Sequence, residues 1–292
     1  MTVPSGLLDS LRKVTRGRTA KVLVQRWDGT DLRRRPDQLI VEAPLEVHLD
    51  GNLVATTMRT PGHDFELATG LCHGDGLLGD ATVVSCRYCA TGSAVESEFN
   101  VVSVDTGGAA PPPSPRLAAA TSACGMCGST ALQELRDRIA PIPVGHPWPT
   151  ALLAALPAAV RPAQDLFDAT GAVHAAAAFG RDGRPVVVRE DIGRHNAVDK
   201  VVGRLLLDGQ LPATDLGLFV SGRAGFEIVQ KAWAAGFSAV VAVSAPSALA
   251  VEAARHAGIT LVGFVRSPDG APTCNVYSPA GPGAASAGGT PA

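Results

Sequence analysis

Aromatic residues and lysine are scarce in this chain. Phe, Trp and Tyr make up 4% of its 292 residues, so a hydrophobic core has to be built mainly from Val, Leu and Ala. The lysines are Lys13, Lys21, Lys200 and Lys231, and arginine supplies the rest of the positive charge. The formal charge of -2 at pH 7 excludes a general attraction to nucleic acid or to an anionic membrane surface.

Long apolar runs are missing as well. No uninterrupted apolar stretch reaches the roughly 20 residues that cross a bilayer, and residues 1–22 lack an apolar segment followed by a cleavage site. We therefore expect a soluble, cytoplasmic protein that binds neither nucleic acid nor membrane. In a reducing cytoplasm, the 6 cysteines are expected to be catalytic or metal-binding rather than paired in disulfides.

The stretch from Thr121 to Gly128 contains two cysteines, Cys124 and Cys127, each followed by a glycine. Residues 129–139 have the periodicity of an amphipathic helix, so the thiols lie at or just before a helix N-terminus. The partial positive charge there favours the thiolate, which is the form that attacks sulfur or binds metal. The pair fits disulfide exchange, half of a zinc site or carriage of a persulfide sulfur. The remaining alternative is two buried small hydrophobic residues.

Zinc is the main structural alternative to thiol chemistry. Cys86 and Cys89 together with Cys124 and Cys127 could supply the four ligands of a tetrahedral site. The segment between the two pairs contains a predicted strand and a proline-rich stretch, which is longer than the usual zinc-ribbon spacing. We therefore expect no permanent metal.

The two halves of the chain differ in their patterns of predicted secondary structure. The first half is mostly strands. The second alternates valine-rich strands with helices, which is typical of an α/β sheet covered on both faces. The predicted organisation is a flexible basic arm (1–20), a smaller, mostly β N-terminal domain (21–105), a Gly/Pro linker (106–116), an α/β domain (117–279) and a disordered tail (280–292).

Some segments have informative local patterns. Residues 33–36 (RRRP) are predicted to form an exposed basic link, and residues 39–49 a pair of strands interrupted at Pro44. Residues 94–104 are predicted to form one strand. The alanine-rich segment 174–179 fits either a helix or a strand.

Three loops of the second half carry functional side chains where a predicted strand is followed by a helix. They are residues 189–196, 221–225 and 244–247. Ligand sites of open α/β sheets form at the carboxyl ends of the strands, so we expect these loops to lie along one sheet edge. Their glycines, hydroxyls and guanidinium groups suit a phosphate-bearing ligand. In the alternative interpretation these side chains have only structural roles. Ser221, Asn196 and Ser247 would cap helices, and Asp191 and Arg194 would pair on the surface.

His174 invites comparison with the zinc deaminases. Those enzymes need a Glu two residues after the histidine and a PCxxC segment downstream. Here Ala176 occupies the Glu position and the CxxC lies upstream, so deaminase chemistry is not indicated. His174 is then either a partner of the thiols or a core histidine. The chain also lacks a Walker loop and a GxGxxG motif, so nucleotide hydrolysis and hydride transfer are not indicated.

Six segments together resemble one family. They are residues 121–128 (TSACGMCG), 170–176 (TGAVHAA), 189–200 (REDIGRHNAVDK), 221–224 (SGRA), 244–247 (SAPS) and 261–266 (LVGFVR). The combination resembles the FdhD family of formate dehydrogenase accessory sulfurtransferases, over roughly residues 20–278. The resemblance implies a cytidine-deaminase-like α/β domain with a smaller N-terminal domain.

The activity that this resemblance implies is sulfur transfer. The protein would accept persulfide sulfur from a cysteine desulfurase and pass it to the molybdenum cofactor, Mo-bis(molybdopterin guanine dinucleotide). Transfer would precede insertion of the cofactor into formate dehydrogenase. The cofactor is thus a bound substrate, and the family resemblance implies a homodimer.

The resemblance also assigns site residues. Cys124 would carry the persulfide and Cys127 would assist. Arg194, Arg223 and Arg266 would hold the cofactor phosphates. The complete predicted cofactor site is Phe264, Val265, Arg266, Ser267, Pro268, Asp269, Arg223, Ser221, Gly222, Arg194, His195 and His174. Two other functions stay open: a zinc-stabilised cofactor-binding chaperone without sulfur chemistry, and a CxxC disulfide oxidoreductase.

Overall fold

A computed structural model describes residues 17–89, 94–95, 97–112, 128–143, 145–266 and 271–279. Its strands are β1 (Thr19–Trp27), β2 (Leu32–Ile40), β3 (Ala43–Leu49), β4 (Asn52–Arg59), β5 (Ser85–Tyr88), β6 (Val101–Asp105), β7 (His174–Phe179), β8 (Pro185–Asp191), β9 (Gly217–Val220), β10 (Ala239–Ala242), β11 (Thr260–Arg266) and β12 (Thr273–Ser278). Its α-helices are α1 (Asp64–Gly74), α2 (Gly128–Arg138), α3 (Thr150–Val160), α4 (Asp165–Thr170), α5 (Arg194–Leu207), α6 (Phe226–Ala234) and α7 (Ala248–Ala257), and a short 3-10 helix (Arg161–Ala163) joins α3 to α4. The fold is mixed α/β, as predicted.

The chain first forms a two-stranded antiparallel hairpin of β1 and β2. At its turn the Asp28 carboxylate accepts hydrogen bonds from the backbone N–H groups of Thr30 and Asp31. The prediction of a basic link at residues 33–36 is wrong, because these residues belong to β2. Proline is tolerated at position 36 because, within the described residues, β2 pairs with β1 alone. The missing N–H of Pro36 therefore removes no hydrogen bond to a second neighbouring strand.

The second sheet has the strand order β4-β3-β6-β5, with α1 packed against it over a core of its own. The predicted interruption at Pro44 is wrong, since Pro44 lies inside β3, where that strand pairs with β4 and not yet with β6. A hairpin turn at Asp50 and Gly51 joins β3 to β4. Strand β6 is shorter than predicted because residues 97–99 form a turn.

The third sheet has the order β12-β11-β10-β9-β7-β8. Strands β9, β10 and β11 are parallel, whereas β7 runs antiparallel to both of its neighbours and β12 is an antiparallel edge strand. Helices α5, α6 and α7 cover one face, and α3 covers the other. The alanine-rich segment is strand β7, whose small buried side chains let helices approach both faces closely.

Helix α1 of the second sheet packs closely against α5 of the third. A Cβ atom at Gly70 would overlap the carbonyl oxygen of Asp199, and one at Gly203 would overlap that of Glu66. The two glycines therefore allow backbone-to-backbone contact between the helices. The Glu66 carboxylate also binds the Arg189 guanidinium on β8, with Nη2 to Oε1 at 2.7 Å, so an ion pair adds to the helix contact.

Replacing Glu66 by glutamine is expected to reduce the loss of stability at acid pH. Burial opposes its ionisation, but hydrogen bonds from Arg189 and His63 lower the pKa of Glu66 from 4.5 to about 2. A lowered folded-state pKa contributes stability above 4.5 that is lost as the pH falls toward 2. Urea unfolding at several pH values should therefore show that the free energy of unfolding falls less steeply with decreasing pH in Glu66→Gln than in the wild type. The exposed Glu252→Gln serves as control, and an unchanged pH dependence in Glu66→Gln would contradict the assignment.

Parts of the predicted organisation fall outside the described residues. These are most of the arm, the end of the linker and the tail at 280–292. The first linker residue is fixed in place, because the buried Thr106 donates its N–H to Oδ1 of Asp50 at 2.7 Å. The domain boundaries stay predictions. Among the described helices, none combines the length and apolar character needed to cross a bilayer.

Candidate functional site

The carboxyl ends of the strands in the third sheet meet along one edge. Strands β9, β10 and β11 run parallel and end next to residues 221–225, 243–247 and 264–266. Because β7 runs antiparallel to β9, its first residue, His174, lies at this same edge and pairs with Asp191 at the end of β8. The three loops predicted from the sequence, residues 189–196, 221–225 and 244–247, thus share one sheet edge.

Backbone hydrogen bonds hold these loops to one another. Ser244 N–H donates to the Gly222 carbonyl at 3.3 Å, and Phe264 N–H donates to the Ser244 carbonyl at 3.2 Å. Ser221 extends the pairing of β9 with β7: its N–H donates to the Ala175 carbonyl, and its hydroxyl accepts from Ala175 N–H, both at 2.9 Å. The edge is therefore a hydrogen-bonded surface rather than a set of independent loops.

His174, Gly222 and Arg194 form the centre of this edge. A Cβ atom at Gly222 would lie 3.4 Å from Nδ1 of His174 and 3.7 Å from Cδ of Arg194, so both side chains lie against this glycine. The Nε atom of Arg194 is buried and has no hydrogen-bond partner among the described residues. Burial, followed by the nearby Arg194 and His195, lowers the pKa of His174. The centre thus combines an unsatisfied guanidinium donor with a histidine that is neutral at neutral pH.

His195 is the second residue of α5 and contacts the first turn of α6. Its Nε2 atom lies 2.9 Å from Oε2 of Glu227, and both side chains are partly exposed. The hydrogen bond from His195 is the main cause that lowers the pKa of Glu227. Glu227 was not found by sequence reasoning, because only the packing of α5 against α6 brings it next to His195.

Asp191 anchors the N-terminus of α5 from inside the protein. Its carboxylate pairs with Lys200 Nζ at 2.7 Å and accepts hydrogen bonds from the backbone N–H groups of Thr60 and Gly193. Asn196 Nδ2 donates to the same carboxylate at 3.0 Å. The alternative of a surface pair between Asp191 and Arg194 is wrong, since the Asp191 side chain is fully buried.

The capping alternatives have mixed outcomes. Ser247 caps α7, with its hydroxyl accepting from Ala250 N–H at 3.2 Å. Ser221 and Asn196 are not helix caps: the N-cap residues of α6 and α5 are Gly225 and Gly193. Neither glycine can offer a side-chain cap, so the N–H groups at these two helix starts lack that intramolecular partner.

The remaining predicted cofactor residues occupy different environments. Arg223 and Arg266 are exposed, and the Arg266 guanidinium lies 5.9 Å from the ring centroid of Phe264. Phe264 has a left-handed backbone, with φ of 52°, at an irregularity in the pairing of β11 with β12. The Val265 side chain packs in the core, so ligand contact there is left to its backbone and its neighbours. Ser267, Pro268, Asp269, Cys124 and Cys127 lie outside the described residues.

A pocket of about 540 Å³ opens beside His174 and Ser221. Arg161, Gln164 and Phe167 line it, and sequence reasoning found none of the three. The buried carboxylate of Glu190 accepts hydrogen bonds from the N–H groups of Leu166 and Phe167, both at 2.8 Å, and so fixes the start of α4 at the pocket wall. Gln164 precedes a short helix, and a glutamine at that position forms no sequence pattern from which a pocket could be predicted.

Four cysteines lie within the described residues, and all four are free thiols: Cys72, Cys86, Cys89 and Cys274. Burial raises the pKa of Cys86 to about 11, which favours the neutral thiol. No group of three metal-ligating side chains occurs within the described part of the chain. Two of the four cysteines of the alternative zinc site lie outside that part, so this alternative stays open.

Comparison with known proteins adds the family. The model of the FdhD/NarQ family matches residues 40–281. The sulfur carrier protein FdhD of Nocardia farcinica is 48% identical over 264 residues, which cover 89% of this chain and 93% of that protein. Sulfur carrier protein FdhD of Corynebacterium efficiens is 47% identical over 242 residues, covering 80% of this chain and 87% of its own.

A solved structure extends the similarity to the fold. A crystal structure described as a formate dehydrogenase accessory protein of Desulfotalea psychrophila superposes with a TM-score of 0.67. It is 21% identical, and the match covers 90% of this chain and 97% of that one. Together with the family model and the identities above, this structural similarity shows that the chain shares its fold with that protein. The chain belongs to the FdhD/NarQ family.

Proposed function

We propose that this protein is a sulfurtransferase that carries sulfur as a persulfide on Cys124. It takes the sulfur from a cysteine desulfurase and passes it to Mo-bis(molybdopterin guanine dinucleotide), before that cofactor is inserted into formate dehydrogenase. The relatives named sulfur carrier protein FdhD support the general role. The single observation that carries the cofactor part is the convergence of Arg194, His174 and His195 around Gly222.

This edge fits an anionic nucleotide ligand. The buried Nε of Arg194 lacks a partner, and a phosphate oxygen would satisfy it. The N-termini of α5 and α6 end at the same edge, where their dipoles favour negative charge. Arg223 and Arg266 are exposed nearby, on the loop after β9 and at the end of β11, and would add charge at the rim. The pocket beside His174 offers room for part of a large ligand.

The loading step follows from thiol chemistry. The Cys124 thiolate attacks the terminal sulfur of the donor's persulfide. The donor's S–S bond breaks, a new S–S bond forms on Cys124, and the donor cysteine leaves as a thiolate. No net oxidation or reduction is needed.

The release step assigns the assisting role of Cys127. Its thiolate attacks the Cys124 sulfur, a Cys124–Cys127 disulfide forms, and the terminal sulfur leaves as HS⁻ for the cofactor. The two thiols supply the two electrons that reduce the carried sulfur to sulfide. A cellular dithiol reductant then restores the pair.

The proposal includes the finer structural and cellular expectations. The third sheet with its helices on both faces would correspond to a cytidine-deaminase-like layer. The protein would act in the cytoplasm as a homodimer.

The test is mass spectrometry of the intact protein after incubation with a cysteine desulfurase and cysteine. The wild type is expected to gain about 32 Da, the mass of one sulfur atom, and to lose it on addition of a thiol reductant. The absence of this species would contradict the carrier role. Stoichiometric, tightly held zinc would favour the chaperone alternative instead, and turnover of dithiol substrates would favour the oxidoreductase.

A further inference from the structure

Glu227 is not one of the predicted cofactor residues, but it lies next to one of them, His195. It is in the first turn of α6, and its Oε2 atom is 2.9 Å from Nε2 of His195. About half of the Glu227 side chain is exposed, against 25% of His195. Within the described residues, His195 makes no other hydrogen bond or ion pair.

A carboxylate bound to one imidazole nitrogen determines what the other nitrogen can do. With Nε2–H donating to Glu227, the neutral ring leaves Nδ1 as an acceptor, and the protonated ring makes Nδ1–H a second donor. The carboxylate also restricts the rotation of the ring. Such a pair therefore prepares one histidine nitrogen for a ligand.

We propose that Glu227 is a positioning residue, which orients His195 so that its Nδ1–H donates to a phosphate oxygen of the bound nucleotide. This inference rests on the function proposed above, because it takes the ligand to be the guanine dinucleotide cofactor. It extends the site to α6, so that three elements around Gly222 hold the phosphates: β7, α5 and α6.

A purely electrostatic role for Glu227 predicts the opposite effect of its removal. The charges of Lys231 and Arg194 act on Glu227 together with that of His195, so Glu227 is a negative charge close to positive ones. If it acted only through its charge, neutralising it would strengthen the binding of an anion. If it positions His195, neutralising it weakens that binding. The sign of the change separates the two roles.

The probe is guanosine 5′-diphosphate, the nucleotide end of the proposed cofactor, with its affinity measured by calorimetry. Glu227→Gln is expected to bind about tenfold more weakly than the wild type, since the charge-assisted hydrogen bond to His195 becomes a weaker one to an amide, which can also turn its NH₂ group toward the ring. Glu227→Asp keeps the carboxylate and should give an intermediate affinity. The matched control is Glu46→Gln, which removes the similar Glu46–His48 pair (3.4 Å) on β3 and should leave the affinity unchanged.

Two further measurements exclude a merely structural effect. In a His195→Ala background, Glu227→Gln should cause no additional loss of affinity. In ¹⁵N spectra, the diphosphate should move the His195 Nδ1 signal toward the protonated position in the wild type and much less in Glu227→Gln.

The outcomes distinguish this inference from the proposed function. Measurable binding by the wild type with equal or tighter binding by Glu227→Gln would overturn the role of Glu227 alone. An equal loss in Glu46→Gln would do the same. No binding of the diphosphate by the wild type would overturn the phosphate site of the proposed function, and this inference with it.

Discussion

Cys124→Ala is expected to lose the desulfurase-dependent gain of about 32 Da completely, because Cys124 is the residue proposed to attack the donor persulfide. The reason lies in the ionisation of the cysteines. We expect Cys124 to react as a thiolate, because it precedes the first residue of α2 by four positions in the sequence and the start of a helix favours negative charge. Burial raises the pKa of Cys86 to about 11, and it also raises the pKa of Cys72 and Cys274. Mass spectrometry of the intact variant and of its tryptic peptides would locate the sulfur.

The matched control comes from the other CxxC pair. Cys86→Ala removes one thiol of a pair with the same CxxC spacing. It should keep the full mass gain, because burial favours the neutral form of the Cys86 thiol. A mass gain that persists in Cys124→Ala, or that disappears in Cys86→Ala, would show that the carried sulfur is on another cysteine.

Cys127→Ala separates loading from release. The variant should still gain about 32 Da, because the first exchange needs only Cys124. It should then retain the persulfide, since no second thiol can form the disulfide that expels sulfide. Release of sulfide at the wild-type rate by Cys127→Ala would contradict the assisting role.

Asp191→Ala is expected to destabilise the protein by about 3–5 kcal/mol, the loss typical of a buried ion pair from which one partner is removed. The Lys200 ammonium would stay buried without its counter-ion, whereas in the native protein it lies 2.7 Å from Asp191. The N–H groups of Thr60 and Gly193 would lose their acceptor as well. The measurement is urea unfolding at neutral pH, with Asp191→Asn as the milder variant that keeps the shape of the side chain.

The control for this loss is a surface pair. Asp208 binds Arg204 on α5 at 2.7 Å, with both side chains partly exposed, so Asp208→Ala should cost no more than about 1 kcal/mol. Equal losses in the two variants would mean that Asp191 has no special role as an internal anchor. Asp191→Asn should also weaken binding of the diphosphate, because Asp191 fixes the start of α5, where Arg194 and His195 lie.

Much of the fold could be predicted because local patterns determine it. Valine-rich strands alternating with amphipathic helices indicated a sheet covered on both faces, and strand-to-helix loops indicated one functional edge. The errors have local causes too. Proline and arginine at residues 33–36 predicted a link, yet both are accepted in a hairpin whose outer edges pair with no other described strand. Pro44 fits inside β3 because only one neighbouring strand pairs with it there.

The sequence by itself determined the thiol pair, the alternation of elements and the residues of the edge, since each depends on neighbours within a few positions. Only the tertiary structure decided which partners those residues have. Thr60 reaches Asp191 across 131 positions, and the glycines that bring α1 against α5 have no pattern that distinguishes them from turn glycines. Glu227 becomes a partner of His195 only where two helices pack. Contacts between segments distant in sequence depend on how whole elements pack, and no local periodicity records that packing.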